Sequence, residues 1–252
     1  MTDKSDRVES LMLRELAAAL QPHGMLLRGG FGLTEDDESS LTGFPEMESS
    51  MRGRTLVLIG NVGAAMYDAF FSTGETGGAN PLDDWTKGIL RPIAARFAAR
   101  AAFPSDGPPW LPFQRWAMRA EGVKASPLGV LIHPEFGLWH AYRAALVFDQ
   151  AIELPPAPFS EHPCDSCRDR PCLSTCPVGA VTAQGYAVDN CARHVGGRGG
   201  HACRSIGCLA RRSCPVGVQH LYPDRAMAFH MAAFLRGRGV AISHSEDSES
   251  VL

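Results

Sequence analysis

Eight cysteines, all lying between Cys164 and Cys214, constrain this 252-residue chain more than any other feature. They fall into two blocks. The first reads Cys164-x2-Cys167-x4-Cys172-x3-Cys176-Pro177; the second reads Cys191, then Cys203-x4-Cys208-x5-Cys214-Pro215. Both close on the same Cys-Pro-Val-Gly phrase, at 176–179 and 214–217. A cubane cluster needs four thiolates converging on one small object. Short spacings let one loop supply three of them, and the fourth arrives from elsewhere in the fold. In two-cluster ferredoxins the cysteine before proline closes the other cluster. Applied here, that rule groups Cys164, Cys167, Cys172 and Cys214 into one set. Cys176, Cys191, Cys203 and Cys208 form the other, with no thiol to spare. The sequence thus points to two [4Fe–4S] clusters.

Three other uses of the cysteines compete with this one. Two structural zinc sites also need eight thiolates, and Cys164-x2-Cys167 suits zinc, but the paired Cys-Pro endings and interleaved blocks suit it less well. A plant-type [2Fe–2S] centre needs Cys-x4-Cys-x2-Cys, which Cys167, Cys172 and Cys176 miss by one residue. Disulfides fit an oxidising compartment. The chain opens on Thr2-Asp3-Lys4-Ser5-Asp6-Arg7 with no apolar stretch behind it, and no apolar run approaches a membrane span. The expectation is a cytoplasmic protein without membrane segments. His194 and His201 are the candidates for a Rieske-type replacement, but no thiolate is missing.

Net charge is −3 and unevenly spread: residues 161–225 hold eight arginines, no lysine and five acids, while residues 1–160 carry five more acids than bases. A four-thiolate cubane is negatively charged, and burying it requires donors and cations nearby. Arg168, Arg170, Arg193, Arg198, Arg204, Arg211 and Arg212 are placed for that compensation. An acidic redox partner docking on them is the rival use. The chain as a whole lacks the basic excess of a nucleic-acid binder.

Ahead of the cysteines the pattern is mixed. Residues 8–20 place apolar side chains at helical spacing, and Met25–Leu27 reads as a short strand. Glu35–Ser40 reads as an acidic loop. Thr55-Leu56-Val57-Leu58-Ile59 is a buried strand, with Gly60-Asn61-Val62-Gly63 the strand-to-helix turn. Pro81–Arg100 reads as a helix with Trp85, Ile89, Ile93 and Phe97 on one face, broken by the prolines after Phe103. A further helix is expected at 113–119 and strands at 130–132 and 144–148. Between the strands lies an aromatic loop, His133–Tyr142. Pro108–Phe113 and Trp139–Tyr142 are candidate pocket linings. Leu154–Pro158 is a stiff connector, and a helix spans 224–236. The division expected is an α/β domain at 1–157, a cysteine domain at 158–240, and a disordered tail at 241–252.

With these features in view, the chain resembles the epoxyqueuosine reductase family. The resemblance rests on an α/β region followed by the dicluster cysteines, on Gly129-Val130-Leu131-Ile132-His133-Pro134-Glu135-Phe136-Gly137 ahead of Leu154-Pro155, and on the long Cys191-to-Cys203 interval. It covers residues 50–220. It implies an α+β protein: a nitroreductase-like, cobalamin-binding-type N-terminal region and a ferredoxin-like dicluster module. A redox partner protein then supplies electrons to a corrinoid or small-molecule acceptor. The family's catalytic aspartate precedes a Thr-Ala-Pro phrase; the matching region here is Ser105-Asp106-Gly107-Pro108-Pro109. The equivalent position is Pro108, which leaves Asp106, two residues away, as the catalytic candidate or else a turn residue. The family's helical-repeat extension and a basic stripe for tRNA are both missing, so the resemblance implies a shorter relative that does not hold tRNA.

Overall fold

The computed structural model describes residues 4–35, 37, 55–74, 77–159 and 161–243. Most of the acidic stretch at 35–40, and the tail from 244, lie outside them. The chain forms two compact units: Met1–Lys124 with His140–Glu161, and Ala125–Trp139 with His162–Leu252. Residues 125–139, which the sequence reading groups with the N-terminal region, thus pack with the cysteines.

The first unit is mixed α/β, built on an antiparallel sheet. Its elements are α1 (Lys4–Leu20), β1 (Met25–Gly32), β2 (Thr55–Val62), α2 (Ala65–Ser72), α3 (Pro81–Arg96), β3 (Ala99–Ala102), α4 (Phe113–Glu121) and β4 (His140–Phe148). The strand order is β1-β2-β4-β3, and every pairing is antiparallel. β2 is buried from Thr55 through Asn61, which explains its continuous apolar run: a central strand covered on both faces has no solvent side to alternate towards. Each of Leu56, Leu58 and Ile59 is fully buried and contributes about 1.5–3 kcal/mol. Helices α1 and α4 pack on β1, α2 on β2, and α3 on β3 and β4.

Several elements depart from the sequence reading. α3 stops at Arg96, and Ala98 takes a left-handed φ of 52° before β3. The buried face of α3 is Leu82, Thr86, Leu90 and Ala94, one position round from the expected stripe. β4 begins at His140, so the aromatic loop is shorter than expected, and β2 runs on through Gly60 and Asn61 before Gly63 turns the chain at φ 58°. Gly60 sits at a break in the β2–β4 register. A Cβ there would stand 2.3 Å from the Ala141 oxygen and 2.9 Å from Arg28 Cγ. Glycine at 60 therefore makes room for Arg28 in the core.

The second unit is a set of short elements: α5 (Pro163–Ser166), a hairpin of β5 (Val181–Thr182) and β6 (Gly185–Tyr186), α6 (Val188–Gly196), α7 (His201–Ile206), α8 (Leu209–Arg212) and α9 (Asp224–Gly237). Its packing is organised around cysteines. Val195, Cys203 and Leu235 form one cluster, with Cys191, Met231 and Phe234 against it. Ile132, Leu138 and Cys214 form another, with Cys164 and Val216 against it. That second cluster is why residues 125–139 belong here.

Candidate metal centre

The eight cysteines are free thiols. Four of them, Cys164, Cys167, Cys172 and Cys214, line one recess whose apolar wall includes Ile132 and Leu138. Cys164 feels Cys214, Cys172 and Cys167 electrostatically, and burial, with these three thiols, pushes its own thiol up to about 11. Burial likewise raises Cys172 and Cys214. The other four also gather. Cys203 interacts with Cys191 and Cys176, and Cys208 with Cys191 and Cys203. Burial raises the thiols of Cys191, Cys203 and Cys208. Among the described residues, no three His, Cys, Asp or Glu side chains stand close enough to hold a single metal ion.

The backbone beside these sulfurs favours their charged form. Ala180 N–H reaches Cys176 Sγ at 3.3 Å. The backbone at Leu209 favours the thiolate of Cys203, that at Ala210 and Arg211 the thiolate of Cys208, and that at Val216 the thiolate of Cys214, each against the burial that raises it. The Cys-Pro-Val-Gly phrase acquires a reason in its second copy. Gly217, at φ 70°, would place a Cβ 2.3 Å from the Phe136 carbonyl carbon; Gly137, at φ 58°, would place one 1.9 Å from Val216 O. Two backbones pass glycine to glycine, which fixes the segment carrying Cys214. The 133–137 loop is itself closed by paired His133 and Gly137 hydrogen bonds of 2.9 Å and by His133 Nδ1 accepting from Glu135 and Phe136 N–H.

The arginines divide by role. Arg170 acts on Cys164 and Cys172, and Arg204 on Cys203, each favouring the thiolate. Arg204 also holds the Val195 and Gly197 carbonyls. Arg211 lies over Trp139 at 4.7 Å and Tyr222 at 5.0 Å and donates to the Leu138 carbonyl. Arg212 pairs with Asp224. Sequence reasoning missed the β5–β6 hairpin between Cys176 and Cys191; it carries Tyr186, whose phenol is held above the ordinary tyrosine value by burial, with Cys191 beside it.

In the first unit, Asp106 closes a turn. Its carboxylate accepts Phe103 N–H at 2.9 Å and pairs with Lys87 at 2.8 Å. Trp110 is 67% exposed. Tyr142, with Asp83, Thr86, Phe103 and Arg143, borders a small polar recess, where burial raises the Asp83 carboxyl. Trp139 and His140 are buried instead of lining a recess. A second feature escaped the sequence reading: Arg28 makes a bidentate pair with Glu121, both contacts 2.8 Å, and lies 3.2 Å from His140 Nδ1. Tyr142 donates to the same Glu121 carboxylate. These residues are 93 and 112 positions from Arg28, beyond any local pattern.

The class defined by this architecture is a mixed α/β fold with an antiparallel sheet, accompanied by a cysteine-built unit. No family model and no curated protein matches the chain. Solved structures do. Epoxyqueuosine reductase from Bacillus subtilis, with its catalytic loop swung out of the active site, matches at 16% identity and a TM-score of 0.50, over 86% of this chain and 68% of that one. The Streptococcus thermophilus epoxyqueuosine reductase matches at 16% identity and 0.48, over 83% and 67%. The C. elegans B12-trafficking protein CblC matches at 13% and 0.43, over 91% and 96%. The likeness to the Bacillus protein is one of fold.

Proposed function

We propose that this chain is an iron–sulfur electron-transfer protein or reductase component whose cysteine unit is a ferredoxin-like module for two [4Fe–4S] clusters. One observation supports this above the others: Cys164, Cys167 and Cys172 share a single recess with Cys214, the cysteine that closes the opposite block. Sequence-distant thiols meet where the crossing rule pairs them. The ligand sets are Cys164, Cys167, Cys172 and Cys214, and Cys176, Cys191, Cys203 and Cys208. When bound, the clusters supply one-electron transfer at potentials set by charge, hydrogen bonding and exposure.

The chain's own groups do the rest. The Ala180 N–H donates to the Cys176 sulfur, and the backbone at 209, 210, 211 and 216 favours the thiolates of Cys203, Cys208 and Cys214. Arg170 and Arg204 add positive charge beside three thiols. Ile132 and Leu138 keep water from one side of the first set. A donor protein would supply the electrons; by the resemblance in sequence, a corrinoid at the first unit would be their acceptor and the chemistry would be reductive. Asp106, committed to its turn, has no assigned catalytic step.

Anaerobic purification followed by visible spectroscopy tests the reading. A broad band near about 400 nm that bleaches with dithionite is the expected result for cubane clusters. A colourless protein holding zinc refutes it. Adding hydroxocobalamin then separates enzyme from carrier: a shifted corrinoid spectrum supports a reductase, and an unchanged one leaves an electron carrier.

A further inference from the structure

Two arginines of α8, Arg211 and Arg212, follow Cys208 and precede Cys214. Arg212 pairs with Asp224, whereas Arg211 is half-buried with no carboxylate partner among the described residues. Its Nε is buried and has no acceptor there either. A cation placed so costs stability, which directs attention to what it holds. The guanidinium lies 4.7 Å from the centre of the Trp139 ring and 5.0 Å from that of Tyr222, both rings buried, and it donates to the Leu138 carbonyl. The two rings meet edge to face at 5.7 Å. Backbone bonds fix the other end: Arg212 N–H bonds to Cys208 O at 3.0 Å, and Cys214 N–H to Arg211 O at 3.3 Å. Arg211 therefore ties residues 138 and 139 to the turn that leads into Cys214. Leu138 and Ile132 pack with Cys214 and wall the recess it shares with Cys164, Cys167 and Cys172. One residue earlier, the close approach of Gly137 to Gly217 pins the same segment a second time.

We infer that Arg211 is a positioning residue that clamps Ile132 and Leu138 as an apolar cover over the cluster site of Cys164, Cys167, Cys172 and Cys214, and so lowers the reduction potential of that cluster. This rests on the two-cluster reading and deepens it. Reduction adds one electron to a group already negative, and water stabilises the added charge. An apolar cover withholds that water, so the reduced form is disfavoured and the potential falls. The clamp needs the planar guanidinium, which stacks on two rings while its edge donates to a carbonyl; an ammonium has neither the plane nor the fork. Charge compensation, the other use of an arginine here, needs only the positive charge. The two roles therefore part on replacement by lysine.

The experiment is an EPR-monitored redox titration of the anaerobically purified full chain, with iron per chain measured on the same samples. The wild type is expected to show two one-electron waves, of which Cys164→Ser abolishes the first. In Arg211→Lys that wave moves to a more positive potential, and the other stays. Leu138→Ala opens the cover without touching the arginine and moves the same wave the same way. The double variant moves it no further than the larger single shift, because both act through one cover. If Arg211→Lys loses iron, Tyr222→Leu decides: it removes one ring of the stack, and the same wave moves positive. A first wave that stays put in Arg211→Lys, as charge compensation alone requires, overturns the clamp and leaves the two-cluster reading standing. Two waves that move together, or shifts that add in the double variant, do the same. A wild type without iron overturns both.

Discussion

Glu121→Ala removes the carboxylate that both arms of Arg28 hold. The two side chains are 1% and 8% exposed, and both contacts are 2.8 Å. Deleting one partner leaves a guanidinium in the core beside His140 and Tyr142 with its main counter-charge gone. Breaking a buried pair from one side costs about 3–5 kcal/mol, because the remaining charge stays desolvated. With a urea dependence of about 2 kcal/mol per molar, the midpoint of the first unit falls by about 1.5–2.5 M. Hydrogen–deuterium exchange of peptides spanning β2 across a urea series reads this unit directly. The companion variant, Arg28→Met with Glu121→Leu, replaces the pair by apolar volume and recovers most of the loss, since a buried pair and a packed apolar pair are close in stability. A fall of less than about 0.5 M for Glu121→Ala, the range of an exposed pair, refutes the assignment of a desolvated charge network.

Three further outcomes follow from particular contacts. Gly217→Ala meets both a left-handed φ and the Phe136 backbone, whereas Gly179→Ala, at φ 60°, meets open space. The second costs about 1–2 kcal/mol and the first more, so iron per chain drops for Gly217→Ala and holds for Gly179→Ala. Burial, with the Glu121 carboxylate beside it, holds the Tyr142 phenol above the ordinary tyrosine value. The unfolded chain releases that proton above pH about 10 while the folded chain keeps it, so stability falls as pH rises past that point. The melting-temperature advantage of wild type over Tyr142→Phe therefore shrinks between pH 9 and 11. Finally, stripping iron with chelator and ferricyanide leaves buried thiols without the object that organises them. Limited proteolysis then cuts within 162–240 first, while fragments of the first unit persist.

The sequence spoke most clearly where one local pattern decides the element. The amphipathic run of α1, the apolar run of β2 and the helix expected at 113–119, which runs on to Glu121, all show in the structure, because periodicity and turn residues are local. β3 was illegible: Ala99-Arg100-Ala101-Ala102 has helical propensity and prolongs α3 on paper. It becomes a strand by pairing with β4 from Ala145 to Phe148. The α3 stripe slipped by one position because Trp85, Ile89, Ile93 and Phe97 are apolar yet only half-buried, while Thr86 is buried by bonding its hydroxyl to Leu82 O. The cysteine blocks and their Cys-Pro endings were visible, but the β5–β6 hairpin between Cys176 and Cys191 was not, since strands of two residues carry no period to read. The Arg28–Glu121–Tyr142 network joins three distant segments and leaves no local trace.

Iron and acid-labile sulfide per chain, measured on anaerobically purified wild type and on Cys214→Ser and Cys176→Ser, test the central claim most directly. The account predicts about eight of each for the wild type, two [4Fe–4S] clusters' worth. It also predicts that Cys214→Ser damages the cluster held by Cys164, Cys167 and Cys172, while Cys176→Ser damages the one held by Cys191, Cys203 and Cys208. Zinc in place of iron, or each variant damaging the cluster of its own block, would contradict it.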